Sequence, residues 1–164
     1  KERVTGIDLL DRICSIAPAR GWKVFFLGAA PGVAEQAASK LLDKYPGLDI
    51  VGMENGYFKE EEEKAVIAKI KALSPHILFI GLGAPKQEYF IRRNLKLLGV
   101  PVCIGVGGSF DVVAGIKKRA PKFFIKLNLE WLYRLLAEPS RFKRQLALPR
   151  FAWLVLRQKW WGKT

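Results

Sequence analysis

The chain reads as an α/β domain: a Rossmann-like, mainly parallel sheet flanked by helices, followed by a basic C-terminal helical appendage. Three observations predict this. Four short apolar runs, at 22–27, 49–53, 77–80 and 100–106, have the length and composition of buried strands. Each is followed by a segment with apolar residues at helical spacing, and such alternation implies parallel strands covered on both faces. The charge is also uneven: residues 1–116 carry 15 Lys+Arg against 13 Asp+Glu, whereas 117–164 carry 13 against 2. The expected division is therefore a nearly neutral core, 1–116, and a strongly basic appendage, 117–164.

The elements follow in order. Thr5-Gly-Ile-Asp8 is a capping box variant, with Asp in place of Glu or Gln. Ile7, Leu10, Cys14 and Ala17 form the stripe of a first helix, which Pro18 and Gly21 are expected to end. After the first strand, Gly28-Ala-Ala-Pro-Gly32 turns into a helix that runs through Leu42, with Val33, Ala34, Ala37, Ala38, Leu41 and Leu42 facing the sheet. The second strand leads to Glu54-Asn-Gly-Tyr-Phe58. Glu60 to Glu63 then begin a helix at its positive end, as a solvated acidic face, with Ala65, Val66, Ile67, Ile70 and Leu73 on the apolar side. The third strand enters the loop 81–88 and a helix to Leu98. The fourth ends in Gly107-Gly108, and Ser109 is placed to cap a short helix that reaches Ala114. Beyond Lys117-Lys-Arg-Ala-Pro121, a helix is expected over 124–137, with Leu127, Trp131, Leu135 and Leu136 apolar. Pro139 breaks it, and the final segment mixes Arg and Lys with Phe and Trp.

Size and composition exclude several classes. With 164 residues, half of them hydrophobic, the chain can bury a sizeable core and is not disordered as a whole. Cys14 and Cys103 both lie in apolar stretches and read as buried free thiols of a cytoplasmic protein. No signal peptide is visible in the charged first residues, and no apolar run approaches the ~20 residues of a spanning helix. The chain opens on Lys-Glu-Arg-Val, without Met and without a strand before its first helix, so we expect a missing N-terminal part. The basic appendage calls for an anionic partner: phosphate groups, an acidic membrane surface or nucleic acid.

Two glycine-rich loops carry the clearest chemistry. Gly81-Leu-Gly-Ala-Pro-Lys-Gln-Glu88 and Gly105-Val-Gly-Gly-Ser-Phe-Asp111 each end a strand, where α/β sheets bind ligands. Gln87 and Asp111 end these loops and could hydrogen-bond the hydroxyls of a sugar or ribose, or serve to close the loops. Tyr57, after Gly56, could stack on a planar base or pack on a neighbouring loop. Arg141 and Arg144 share a helical face, and with Arg134 they could clamp a diphosphate, or form a solvated face. The glycines do not match a dinucleotide fingerprint, and Gly28-Ala-Ala-Pro-Gly32 resembles one only loosely. His76, the one histidine, opens a strand and reads as structural. No His/Cys cluster has metal spacing, and no Asp-x-Asp pair is present, so no metal and no cofactor are indicated.

The motifs at 81–88, 105–111, 118–121 (Lys-Arg-Ala-Pro) and 129–134 (Leu-Glu-Trp-Leu-Tyr-Arg), with Glu138-Pro139, resemble the WecG/TagA/CpsF glycosyltransferases. Arg3-Val-Thr-Gly-Ile-Asp8 and Asn55-Gly-Tyr-Phe58 fit the same pattern, so the resemblance covers essentially the whole chain; within the family it points to the N-acetylmannosaminyltransferases of wall teichoic acid synthesis. It implies inverting, metal-independent transfer of a sugar, with N-acetylmannosamine the typical one, from a UDP-sugar to undecaprenyl-diphosphate-N-acetylglucosamine. The product would feed teichoic acid or another surface polysaccharide.

By motif position, the resemblance places the uridine on Tyr57 and Asp111, with Gly56 and Gly108 in the same substrate-binding set. Arg3 would lie near the donor and Gln87 in the sugar pocket. Arg134, Arg141 and Arg144 would bind diphosphate and complete, with Gln87, the catalytic set. It further implies a homo-oligomer, peripheral on the cytoplasmic face of an anionic bacterial membrane, that does not bind nucleic acid. The family's general-base Asp lies upstream of the Arg3 motif, so the chain as given is expected to bind donor weakly and to transfer little. The rival expectation is a non-catalytic Rossmann-like module whose basic tail binds nucleic acid or anionic lipid.

Overall fold

The computed structural model describes residues 4–127, 129–137, 151, 153–155 and 157–158; for Lys122, Lys126, Glu130, Arg134 and Ala137 it describes the backbone alone. The chain forms two compact units, Lys1–Lys118 and Arg119–Thr164. The first contains four strands: β1 (Lys23–Gly28), β2 (Asp49–Glu54), β3 (Ile77–Gly81) and β4 (Val102–Gly105). They form one sheet in the order β2-β1-β3-β4, with every neighbouring pair parallel. The helices are α1 (Gly6–Arg20), α2 (Val33–Lys44), α3 (Glu63–Leu73), α4 (Lys86–Leu98) and α5 (Ser109–Val113).

Successive strand side chains point to opposite faces, and here both faces are dry. Val24, Phe26 and Phe79 pack against Leu10, Cys14, Ala37 and Phe110, from α1, α2 and α5. Phe25, Leu27, Leu78 and Ile80 pack against Val66, Ile70, Phe90 and Leu98, from α3 and α4. This explains why the strands read as continuous apolar runs rather than as alternating ones.

Several local expectations are corrected. Pro18 does not end α1: it lies inside the last turn, and the helix stops at Gly21, whose φ of 62° is left-handed. Proline near a helix end breaks few hydrogen bonds, so the glycine decides. The Thr5–Asp8 capping box is present. Leu42 is exposed, because α2 buries Val33, Ala34, Ala37, Ala38 and Leu41, and position 42 falls off that stripe. β4 begins at Val102 rather than Val100, since Pro101 has no amide to give a ladder. Ser109 does not cap α5; Gly108 takes that position, and the serine hydroxyl donates to the Val106 carbonyl at 2.6 Å. Cys14 is buried, whereas Cys103 is only half-buried on the edge strand. Burial, with Asp11 adding to it, pushes the Cys14 thiol up to about 12.

The second unit contains α6 (Lys122–Lys126) and α7 (Glu130–Ala137) where one helix was expected over 124–137. The Leu129 amide donates to the Phe124 carbonyl at 2.8 Å, across five residues, so the α-helical pattern is interrupted there. The sequence has Asn at 128, a residue type that competes with helix backbone bonds. Phe124 and Tyr133 join α6 to α7, with ring centroids 5.5 Å apart.

Candidate functional site

The carboxyl ends of the strands form a crest floored by glycines. Gly28 and Gly81 are register partners, and a Cβ on Gly28 would come within 2.5 Å of the Gly81 carbonyl carbon. A Cβ on Gly81 would lie 2.6 Å from the Phe110 ring. Neither position accepts a side chain without moving backbone or core, so β1 and β3 close directly on each other where the strand order reverses. Three loops are laced across this crest. The Ala29 amide donates to Gly81 O at 3.1 Å, and the Gly56 amide donates to Ala29 O at 2.8 Å. Lys86 Nζ then donates to Gly56 O at 3.1 Å.

Gln87 is 7% exposed at the start of α4. Its Oε1 accepts from the Gly107 amide at 3.0 Å, and its Nε2 donates to Glu88 Oε1 at 2.8 Å. A Cβ on Gly105 would sit 2.6 Å from Gln87 Nε2, so Gly105 is what lets the amide lie against β4. The two glycine-rich loops therefore meet directly, and Gln87 closes the joint between them. Asp111 stands in the first turn of α5, next to the half-exposed Lys117, whose Nζ is 3.7 Å from Oδ1. Its carbonyl accepts from the amides of Ile116 and Lys117 at 2.9 and 3.0 Å, which folds the chain back after α5. Gly108 adjoins the Asp111 carboxylate: a Cβ there would be 3.5 Å from Oδ2, an ordinary contact.

Tyr57 follows β2 and is 75% exposed. Its amide donates to Asn55 Oδ1 at 2.8 Å, an Asx turn that presents the ring outward. A cleft of about 390 Å³ opens beside it, lined by Glu54, Asn55, Tyr57, Phe58, Glu62, Ala65, Val66 and Lys69. Lys69 pairs with Glu54 at 2.8 Å in the cleft wall. β2 and β4 stand at opposite ends of the sheet, three strand spacings or about 14 Å apart. A ligand that touched both Tyr57 and Asp111 would lie across the crest, over β1 and β3.

Gly56, Tyr57, Gln87, Gly108 and Asp111 thus lie along one edge of the sheet. Arg3, Arg141 and Arg144 fall outside the described residues, and of Arg134 only the backbone, within α7, is described. Glu63 is not part of a solvated face as expected. It accepts from Asn94 Nδ2 at 2.8 Å and pairs with Arg93 at 2.6 Å, bracing α3 to α4. His76 keeps its structural role, its Nδ1 accepting from the Lys23 amide at 2.9 Å. Among the described residues no three His, Cys, Asp or Glu side chains are grouped as metal ligands. Sequence reasoning missed Lys86 and the Gly28–Gly81 contact. A glycine closing both β1 and β3 was the available signal for the contact; nothing local marked the lysine.

Comparison with known proteins adds the following. The family profile described as "Glycosyl transferase WecG/TagA/CpsF family" matches residues 1–164. Two relatives carry the name N-acetylglucosaminyldiphosphoundecaprenol N-acetyl-beta-D-mannosaminyltransferase. That from Bacillus spizizenii (strain W23) is 40% identical over 159 residues, which are 97% of this chain and 61% of the relative. That from Bacillus subtilis (strain 168) is 38% identical over 165 residues, 100% of this chain and 63% of the relative. The chain thus spans about three-fifths of the length of these curated relatives.

Proposed function

This chain belongs to the WecG/TagA/CpsF glycosyltransferase family, and from that premise we propose that its protein transfers N-acetylmannosamine from a UDP-sugar to undecaprenyl-diphosphate-N-acetylglucosamine. The observation that carries the reading is the whole-chain match to the family and to two relatives that bear that transferase name. The strand order supports it, since the loops after β1 and β3 stand where the order reverses, the place at which open parallel sheets bind ligands. In this reading the base stacks on Tyr57, beside Gly56, and the ribose hydroxyls meet Asp111 in front of Gly108. Gln87 stands at the sugar end and acts there by holding the 105–108 loop. Arg3 lies near the donor.

The reaction is a displacement. A hydroxyl of the acceptor sugar attacks the donor's anomeric carbon from the face opposite the diphosphate. The bond to the diphosphate oxygen breaks, UDP departs with the electron pair, and the configuration inverts. Arg134, Arg141 and Arg144 supply the positive charge that stabilises the leaving diphosphate, in place of a metal ion. A general base must take the hydroxyl's proton. The described carboxylates along the crest are engaged: Glu54 with Lys69, Glu88 with Gln87, and Asp111 beside Lys117. We therefore assign the base to none of them.

The protein acts at the cytoplasmic face of an anionic membrane, as a peripheral homo-oligomer. Among the described residues no helix is long and apolar enough to cross a membrane. Trp131, Phe151 and Trp153 are exposed in the unit that carries the basic excess, and Arg157 lies over the Trp153 ring at 5.5 Å. Aromatic rings among Lys and Arg suit the headgroup region. The site is tested by UDP binding: Asp111→Ala must weaken it, and unchanged affinity would count against the assignment.

A further inference from the structure

We propose that Lys86 is a positioning residue for the nucleoside end of the site: it ties the loop after β3 to the loop after β2 and so fixes Tyr57. The inference rests on the reading of Tyr57 as the platform for the donor's base. Lys86 opens α4, 29 positions beyond Tyr57 in the chain. Its Nζ donates to the Gly56 carbonyl at 3.1 Å and stands 5.4 Å from the centroid of the Phe58 ring. These two residues bracket Tyr57 on either side. One ammonium therefore holds both ends of the three-residue segment that presents the tyrosine.

The rest of the segment is prepared for this hold. The Gly56 amide is already bound by Ala29 O, and a Cβ on Gly56 would come within 2.9 Å of Leu82 and 3.2 Å of Gly28. The segment thus lies close over the ends of β1 and β3. Phe58 is anchored below by Phe90, edge to face at 6.1 Å. Lys86 makes no ion pair among the described residues, so no carboxylate there competes for its ammonium. The Tyr57 ring itself is exposed, and its direction depends on the backbone that carries it. A charged donor on a carbonyl and a cation over an aromatic face hold that backbone from the neighbouring loop.

The test is a double-mutant cycle on nucleoside affinity. Uridine and UDP are titrated calorimetrically into the intact protein and into Lys86→Met, Tyr57→Ala and the double variant. Lys86→Met is expected to raise Kd for uridine and UDP alike, by about three- to tenfold. In the Tyr57→Ala background the same substitution should change neither Kd, because the effect passes through the tyrosine. Lys86→Arg, which keeps the cation, should recover most of the affinity. A loss for UDP with uridine unchanged would overturn the proposal, because Lys86 would then meet the phosphates directly. An equal loss in the Tyr57→Ala background would overturn it too. If the unaltered protein binds neither ligand, the nucleotide-site reading itself fails, and this inference fails with it.

Discussion

Replacing Gln87 by alanine should cost the fold about 1–2 kcal/mol. The Gly107 amide, now held by Oε1 at 3.0 Å, would lose its acceptor. That amide is only partly buried, and losing a hydrogen bond there costs about 0.5–1.5 kcal/mol. The truncation also removes buried side-chain carbon lying against Gly105, at about 0.8 kcal/mol per methylene. Urea denaturation followed by tryptophan fluorescence measures the sum. With an unchanged slope of roughly 2 kcal/mol per M, the midpoint should fall by about 0.5–1 M. Gln87→Met separates the two parts, because it fills the space but lacks the amide oxygen; it should recover the packing share and still lose the hydrogen bond. The loop released by either change carries Gly108 and leads into Asp111, so UDP affinity should fall as well. A Gln87→Ala midpoint within about 0.25 M of the unaltered protein, or about 0.5 kcal/mol at that slope, would refute the reasoning. The joint between the two glycine-rich loops would then be held by something other than this amide.

Two further outcomes are expected. The Cys14 thiol, raised to about 12 by burial, stays protonated in the folded state while the unfolded thiol ionises near the ordinary 9.0. The unfolded state therefore binds fewer protons between about pH 9 and 12, and stability falls there by up to ~1.4 kcal/mol per pH unit, with no contribution from this group below pH 8. The difference in urea midpoint between the unaltered protein and Cys14→Ala should shrink across that window; a difference independent of pH would exclude the effect. Truncation after Pro139 should abolish sedimentation with vesicles containing anionic lipid, and retained binding would remove the membrane role from the appendage.

Much of the architecture could be read from the chain because its punctuation is local. Gly21, Pro31-Gly32, Pro46-Gly47 and Gly99 separate the apolar runs, and each run has the length of a strand, although only β1 and β3 in the middle of the sheet are buried almost throughout. The face that each residue takes was less legible: Phe25 and Phe26 are equally apolar, yet they belong to different cores. Errors gathered where distant partners decide. Glu63 looks like one more surface carboxylate in an acidic run, until Arg93 and Asn94, some 30 positions away, are brought to it. Gln87 and Asp111 stood out in the sequence as the polar ends of their loops. That the Gln87 amide closes the joint with the neighbouring loop depended on parallel pairing of β3 with β4, which sets Ile80 beside Gly105. The interruption between α6 and α7 had only the Asn at 128 to announce it.

The central claim is a UDP-sugar site whose diphosphate charge is balanced by protein groups. Calorimetry of UDP and UDP-N-acetylmannosamine, first without metal and then with Mg²⁺, tests it most directly. Both ligands should bind saturably, Mg²⁺ should leave that binding unchanged, and Asp111→Ala should weaken it about tenfold, the size expected for a carboxylate's hydrogen bonds to ribose. Binding that appears only with Mg²⁺, or that ignores Asp111→Ala, would contradict it.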